Sequence, residues 1–311
     1  IDKDNIEQLQ DADILIENKH KSQILEIIEL YQNGLITKKP YFFTSSLDGT
    51  FAFSTGKMLG HSRAFTKIQD GCNNFCTYCK IPFARGRSRS RLPEDIVNEV
   101  KLFEKNGYRE IILTGINISD YHYESLDFAG LLKLLLNETK NIRFRLSSLE
   151  PQNLTQDFFD VIKDSRICPH FHMALQSGST KILKAMNRKY TADDFLLMVD
   201  KIKSSKENPF LSSDLILGFP GETEEDFIET QETLKKADFS YIHVFAFSPR
   251  SGTKAFNMKP KIPERIRDER VNIITSMSKN LTVDYAKGFV GKILNVLIER
   301  KVEEFFLGKS E

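Results

Sequence analysis

Cys72, Cys76 and Cys79 are the residues in this chain best suited to do chemistry. They lie in Gly-Cys-Asn-Asn-Phe-Cys-Thr-Tyr-Cys, residues 71–79, with the spacing C-x3-C-x2-C. Closely spaced thiolates suit a soft metal. Three are one short of the set that a closed tetrahedral zinc site or a fully protein-ligated iron–sulfur cubane takes. The spacing therefore proposes a [4Fe-4S] cluster with one iron open to a non-protein ligand. A zinc ion completed by Cys168 or by a histidine, in a zinc-stabilised RNA-binding module, is the competing reading. Phe75 and Tyr78 could wall such a site against water, which controls its potential.

The surrounding chain must hold this loop in place. From Arg63 onward, short apolar runs alternate with helical patterns. Strands are predicted at Ala64–Gln69, Glu110–Leu113, Ile142–Leu146, His170–Leu175, Leu211–Leu217 and Tyr241–Phe247. Helices are predicted at Pro93 to Asn106, Leu126–Leu136, Leu154–Lys163, Thr180–Met186, Ala192–Lys203 and Glu224–Lys236. Pro93 at a first helical position and Thr191 and Thr223 as caps mark helix starts. Six strand–helix alternations predict a parallel sheet with helical crossovers. That number suits a partial (β/α)6 barrel or a doubly wound open sheet. The cysteine loop after the first strand favours the barrel, whose active-site loops follow the strand ends. Residues 1–37 read as helix, strand and helix, with Ser22 as a candidate cap, and 38–63 as a polar linker. A long helix is predicted from Pro263 to Lys287, with a strand at Val290–Ile298.

The cysteine loop and its sequel, Ile81-Pro82-Phe83-Ala84-Arg85-Gly86-Arg87, resemble the radical S-adenosylmethionine superfamily and its methylthiotransferase branch. Leu113-Thr114-Gly115-Ile116-Asn117 and Arg145-Leu146-Ser147-Ser148-Leu149-Glu150 look most like the type acting on N6-threonylcarbamoyladenosine at tRNA position 37. Lys80 departs from that pattern, where an aliphatic residue is common. The types acting on isopentenyladenosine tRNA or on a ribosomal-protein aspartate are the near alternatives. The resemblance implies a transferase of alkylthio groups, a [4Fe-4S] cluster on the three cysteines, S-adenosylmethionine on the open iron, and a reducing electron donor. It also implies domains: 1–37 as the end of an N-terminal α/β domain, 64–255 as the radical core, 256–288 as a helical extension, and 289–311 as the start of an RNA-binding TRAM β-barrel. Family members carry a second cluster on cysteines of the N-terminal domain. No cysteine precedes Cys72 here, so the chain is read as a piece that cleaves the cofactor without completing methylthiolation.

The strand ends supply the other candidates. Gly218-Phe219-Pro220-Gly221-Glu222 is a tight strand-to-helix turn where a flat ligand could approach the backbone, and it resembles the family's adenine-packing glycine motif. Thr114, Gly115 and Asn117 end the second strand, Ser148 and Glu150 the third, and Gln176 the fourth. Each reads as a turn or cap on its own and as a cofactor contact in the family. Asp214 is a lone acid in an apolar strand, suited to a cofactor contact or to a buried ion pair. His170 and His172 share a strand face; as satisfied core or pocket histidines they need no ligand. Cys168 reads as a free thiol. Lys80, Arg85, Arg87, Arg89, Arg91 and Arg250 form the candidate patch for RNA phosphate. That patch is local, because the net charge of the 311-residue chain is only +1. Clustered cysteines, 40% hydrophobic content and no long apolar run predict a cytoplasmic protein with no membrane span, and a monomer is the expected state.

Overall fold

A computed structural model describes residues 11–37, 41–43, 51, 56–58 and 60–311. The chain enters through β1 (Ile14–Ile16), a 3-10 turn and α1 (Ile24–Gln32). Gln23 precedes α1 with no side-chain cap, and Ser22 lies within the turn. A strand, β2 (Tyr41–Phe43), then pairs parallel with β1, Ile14 opposite Tyr41. The stretch read as a linker thus contributes a strand to the first unit. The helix expected ahead of β1, and Gly49 of the linker, lie outside the described residues.

The six expected core strands are present as β3 (Ala64–Lys67), β4 (Glu110–Thr114), β5 (Arg143–Leu146, resuming at Ser148–Leu149), β6 (His170–Met173), β7 (Phe210–Leu217) and β8 (Tyr241–Ala246). They are parallel and run in chain order. Ala64 faces Ile111, Leu113 faces Leu146, Ser148 faces His172, His170 faces Phe210, and Asp214 faces His243. Between them lie α2 (Ile81–Arg85), α3 (Pro93–Lys105), α4 (Phe128–Glu138), α5 (Gln156–Val161), α6 (Thr180–Ala185), α7 (Ala192–Ser205) and α8 (Glu224–Ala237). This is the βα alternation read from the sequence, with no strand pairing between β3 and β8 among the described residues.

Residue alternation on the strands decides the two faces. Phe144, Phe171, Leu211, Leu215 and Ile242 point outward, where helices bury them completely or nearly so. Arg145, His172, Asp214 and His243 point inward, and are less buried. Helix α4 begins two residues later than predicted, because Leu126-Asp127 forms a short strand and Asp127 caps the helix by accepting from the Gly130 amide at 2.8 Å.

The long helix α9 (Glu264–Lys287) packs on β8, where Ser278 Oγ accepts from the Ile242 amide at 2.9 Å. The last predicted strand is displaced along the chain. It forms at β9 (Val296–Val302), antiparallel to β10 (Phe305–Ser310), after a turn containing Gly291 at φ +82. This hairpin closes the floor of the barrel. Arg143 donates to the carbonyls of Asn295 (3.4 Å) and Lys309 (3.1 Å), and Arg145 to that of Ser310 (2.8 Å).

Asp226 ties two outer helices together. It completes a capping box with Thr223 at the start of α8, accepts from Ser179 Oγ at 2.9 Å, and pairs with Lys181 at 2.6 Å. Burial pushes its pKa up, but Lys181, the Thr223 amide and Ser179 outweigh that and bring it down to about 2. A carboxyl whose folded value is depressed stabilises the fold above its unfolded pKa, and that stability is lost as pH falls through the folded value. Stability should therefore decline between about pH 4 and pH 2. Asp226→Asn should be less stable at neutral pH and flatter across that window, as measured by urea denaturation at a series of pH values.

Candidate active site

The cysteine loop leaves the top of β3 as a closed excursion. Its two ends pair antiparallel, Gln69 with Ser90 and Asp70 with Arg89. Gln69 is fully buried and its amide is saturated. The Nε2 group donates to the Gly71 carbonyl (2.8 Å), the Asp70 carbonyl (3.2 Å) and Ser88 Oγ (2.9 Å). Its Oε1 accepts from the amides of Ile116 and Asn117, both at 3.0 Å. One side chain thus clamps the cysteine loop to the turn after β4. Gly115 has to be glycine there, since a Cβ would lie 2.9 Å from Gln69 Oε1. Gly71 has φ +76, and a Cβ on it would sit 2.0 Å from the Arg87 carbonyl oxygen.

Asp70 is buried beneath the loop, paired with Lys67 and with Arg85 at 3.2 Å. Burial raises its pKa, but Lys67 and the Gly71 amide outweigh this and hold it below the usual carboxylate value. The far side of the loop is anchored to the end of α6. Asn187 Nδ2 donates to the carbonyls of Asn74 and Phe75, both at 3.0 Å, and Thr77 Oγ1 to that of Ala185 at 3.0 Å. Phe75 takes φ 49, a left-handed conformation that turns the chain between the first two cysteines.

Burial pushes the Cys72 thiol up to about 11, and raises that of Cys79. A metal group carrying positive charge would offset that penalty and hold the thiolates. The spacing of the sulfurs bears on which group fits. A single tetrahedral zinc with Zn–S near 2.3 Å puts its ligands about 3.8 Å apart. Among the described residues, the three thiols do not form a trio with all ligand atoms within 4.8 Å. A polynuclear cluster, with each cysteine on its own iron, does not need the three thiols to converge on one ion. Cys168 cannot complete a zinc site either. It lies 1% exposed ahead of β6, at the opposite end of that strand from Gln176 at the mouth.

Arg188 is the site residue that the sequence reading missed. It is buried with a 4% exposed side chain, follows α6, and reaches into the mouth. It donates to Cys76 Sγ at 3.3 Å, to Tyr190 Oη at 2.8 Å, to the Ala174 carbonyl at 3.1 Å, and to the Glu150 carboxylate. Burial raises the Glu150 pKa and Arg188 partly offsets that. For Arg188, burial opposes the charge, but Tyr190 and Glu150 outweigh it and keep the guanidinium protonated. Carboxylate, guanidinium and thiol thus form one row beside the cluster loop. A buried arginine in Met-Asn-Arg-Lys-Tyr has no periodic signal; Tyr190 two residues on was the only local hint.

The other predicted strand-end residues surround this row. Thr114 Oγ1 donates to the Thr66 carbonyl at 3.4 Å. Asn117 is buried and its Oδ1 accepts from Ser119 Oγ at 2.7 Å, while Ser119 Oγ accepts from the Glu150 amide at 2.9 Å. Ser148 is half-buried beside His172. Gln176 has φ 68 and bridges to β7, its amide donating to the Asp214 carbonyl at 2.8 Å. The Gly218 amide donates to Glu222 at 2.8 Å, and Glu222 pairs with buried Arg270 of α9, also at 2.8 Å. Arg267 of the same helix covers Gly218, where a Cβ would lie 2.4 Å from its Cγ. Asp214 is half-buried, with its Oδ2 3.3 Å from His172 Nε2. His170 stacks on Phe210 near the floor at 5.2 Å, its pKa lowered to about 4 by burial.

The basic patch needs one correction. Arg91 is 7% exposed and bonded to buried Glu99 at 2.6 Å, so it is a core ion pair and not an RNA contact. Its backbone pairs with Ile68 across the loop base, which turns the side chain toward α3. Arg85 is half-buried on Asp70. Arg87 is exposed and stacks on Phe75 at 4.4 Å; Arg250 is exposed, and Lys80 and Arg89 are half-buried.

The Radical SAM superfamily model matches residues 66–234. The chain belongs to the radical SAM superfamily. A threonylcarbamoyladenosine tRNA methylthiotransferase of Treponema pallidum is 44% identical over 252 residues, 81% of this chain and 52% of the relative. One of Aquifex aeolicus is 37% identical over 96% of this chain and 73% of the relative. A tRNA-2-methylthio-N(6)-dimethylallyladenosine synthase of Lachnoclostridium phytofermentans is 41% identical over 78% and 54%. These matches put the radical SAM chain in the methylthiotransferase branch. It spans about half the length of the first relative, 52%. A radical S-adenosylmethionine methyltransferase from Kitasatospora setae shares the fold, with TM-score 0.53 and 16% identity over 62% of this chain and 38% of that one.

Two substitutions test the clamp. Gln69→Leu leaves two amides and two buried carbonyls short of a partner, at about 1–3 kcal/mol for a buried polar group. Gly71→Ala forces a clash with the Arg87 carbonyl. Both should reconstitute with less than half the iron of the parent chain while keeping its far-ultraviolet circular dichroism. Full iron loading in either would show that the loop holds its shape without the clamp.

Proposed function

We propose that this chain is the catalytic core of a tRNA methylthiotransferase that converts N6-threonylcarbamoyladenosine at tRNA position 37 to its 2-methylthio form. The observation that carries the reading is the row formed by the three-cysteine loop, Arg188 and Glu150 at the mouth of a six-strand partial barrel. The relatives from Treponema and Aquifex, named for that reaction, support the substrate. The relative named for dimethylallyladenosine supports a second substrate reading, in which the same site acts on that base.

Cys72, Cys76 and Cys79 would hold the cluster. When bound, the cluster and S-adenosylmethionine supply reductive cleavage of the cofactor to methionine and a 5′-deoxyadenosyl radical, strong enough to attack an aromatic C–H. The protein's task is to bind, orient and shield. Arg188 would meet the cofactor's carboxylate, and Glu150 its amino group, once they exchange each other for ligand. Thr114, Gly115, Asn117 and Ser148 line the methionine end. Gln176 and the Gly218 turn, braced by Glu222 and Arg270, take the nucleoside end. Arg87, Arg89, Arg250 and Lys80 meet tRNA phosphate. A reducing donor, a monomeric state and a cytoplasmic setting complete the reading; no helix among the described residues is long and apolar enough to cross a membrane. A second cluster belongs to the full reaction, and its ligands are not in this chain, whose one further cysteine is Cys168.

Anaerobic reconstitution should give about four irons and matching sulfide per chain. Cys76→Ala should lose most of both, and 5′-deoxyadenosine formation with them. Bound zinc without sulfide would overturn the reading. Steady methylthiolated product from this chain alone would overturn only the part of the reading in which the sulfur comes from a second cluster outside it.

A further inference from the structure

A second donor set lies on the inner face of the sheet, with His172 and Asp214 half-buried and His243 exposed. His172 on β6, Asp214 on β7 and His243 on β8 share the inward face, because Asp214 is in register with His243 and Ser212 with His172. Their ligand atoms all lie within 4.8 Å of one another. His172 Nε2 stands 3.3 Å from Asp214 Oδ2. That is long for a charge-assisted hydrogen bond, which closes to about 2.7–2.9 Å. It matches the edge of a tetrahedron whose centre is about 2.0–2.1 Å from nitrogen and oxygen donors, an edge of about 3.3–3.4 Å. The other ring nitrogen of His172 is 3.0 Å from Ser212 Oγ. An Nδ1–H donated to that hydroxyl leaves the Nε2 lone pair on the Asp214 side, the arrangement in which ligating histidines are held. Tyr241 braces the His243 ring edge-on at 4.6 Å.

We propose that His172, Asp214 and His243 form a binding site for one divalent transition-metal ion of the zinc class. Two imidazoles and one carboxylate are a borderline-soft set that suits zinc or cobalt over magnesium or calcium. Three protein ligands leave a coordination position open, facing the barrel interior. The site shares no residue with the cysteine loop and does not rest on the function proposed above.

The test uses cobalt(II), whose d–d absorption reports nitrogen and oxygen ligation, on the full chain carrying Cys72→Ala, Cys76→Ala and Cys79→Ala. One equivalent should bind saturably and raise the melting temperature. His243→Ala and Asp214→Asn should each weaken binding more than tenfold. Ser212→Ala should weaken it about tenfold. His122→Ala, an exposed histidine elsewhere, should leave it unchanged. As an independent measurement on the chain with its cysteines intact and its cluster reconstituted, elemental analysis after zinc exposure and desalting should find one zinc per chain, lost with His243→Ala. Cobalt or zinc retained equally by the parent, His243→Ala and Asp214→Asn, or no saturable binding by a natively melting protein, would overturn the site.

Discussion

The buried amide of Gln69 is the interaction on which the site depends. A loop carrying three cysteines cannot pack as an apolar core, and its backbone groups must find partners away from water. Gln69 satisfies the loop with its donor end and the turn after β4 with its acceptor end. The first two strands of the barrel are thereby locked at their tops as well as along their ladder. The residues flanking the loop repeat the solution. Asp70 accepts from below, and Asn187 donates from the end of α6. The cysteine loop is held by groups from two separate elements.

Charge is distributed by depth. At the floor, buried Glu110 takes the guanidinium groups of Arg143 and Arg145, which also reach the carbonyls of the C-terminal hairpin. At mid-height the inward face carries His172, Asp214 and His243. At the mouth, Arg188 joins Glu150 to Cys76. A buried pair gives up hydration that its attraction only partly returns, so the Arg188–Glu150 pair is one that an anionic and a cationic group of a ligand can replace at modest cost. Glu222 with Arg270 serves the structure instead, fixing the Gly218 turn to α9.

Much of the fold was legible in the sequence. Strand and helix periods placed each core strand within a few residues, and Thr191 and Thr223 capped the helices assigned to them. Local reasoning failed where long-range contacts decide. Val290–Ile298 is apolar enough for a strand, but pairing with β10 and the turn before it move the strand to Val296. The arginine run beside the cysteines looked uniform, yet Arg91 is drawn inward by Glu99 on α3, and Arg85 by Asp70.

The sequence by itself determined the chemistry available. Three cysteines at C-x3-C-x2-C are a local pattern, and a chain segment of nine residues carries it whatever surrounds it. The alternation of strands and helices likewise follows from the period of apolar residues. Only the tertiary structure decided which side chains meet that loop. Gln69 is 47 and 48 residues from the amides of Ile116 and Asn117 and Arg188 is 112 from Cys76, and their roles come from burial, where a polar atom must be paired. The trio of His172, Asp214 and His243 has the same origin: strand register, set by packing of the outer face, brings together three residues on the inner one.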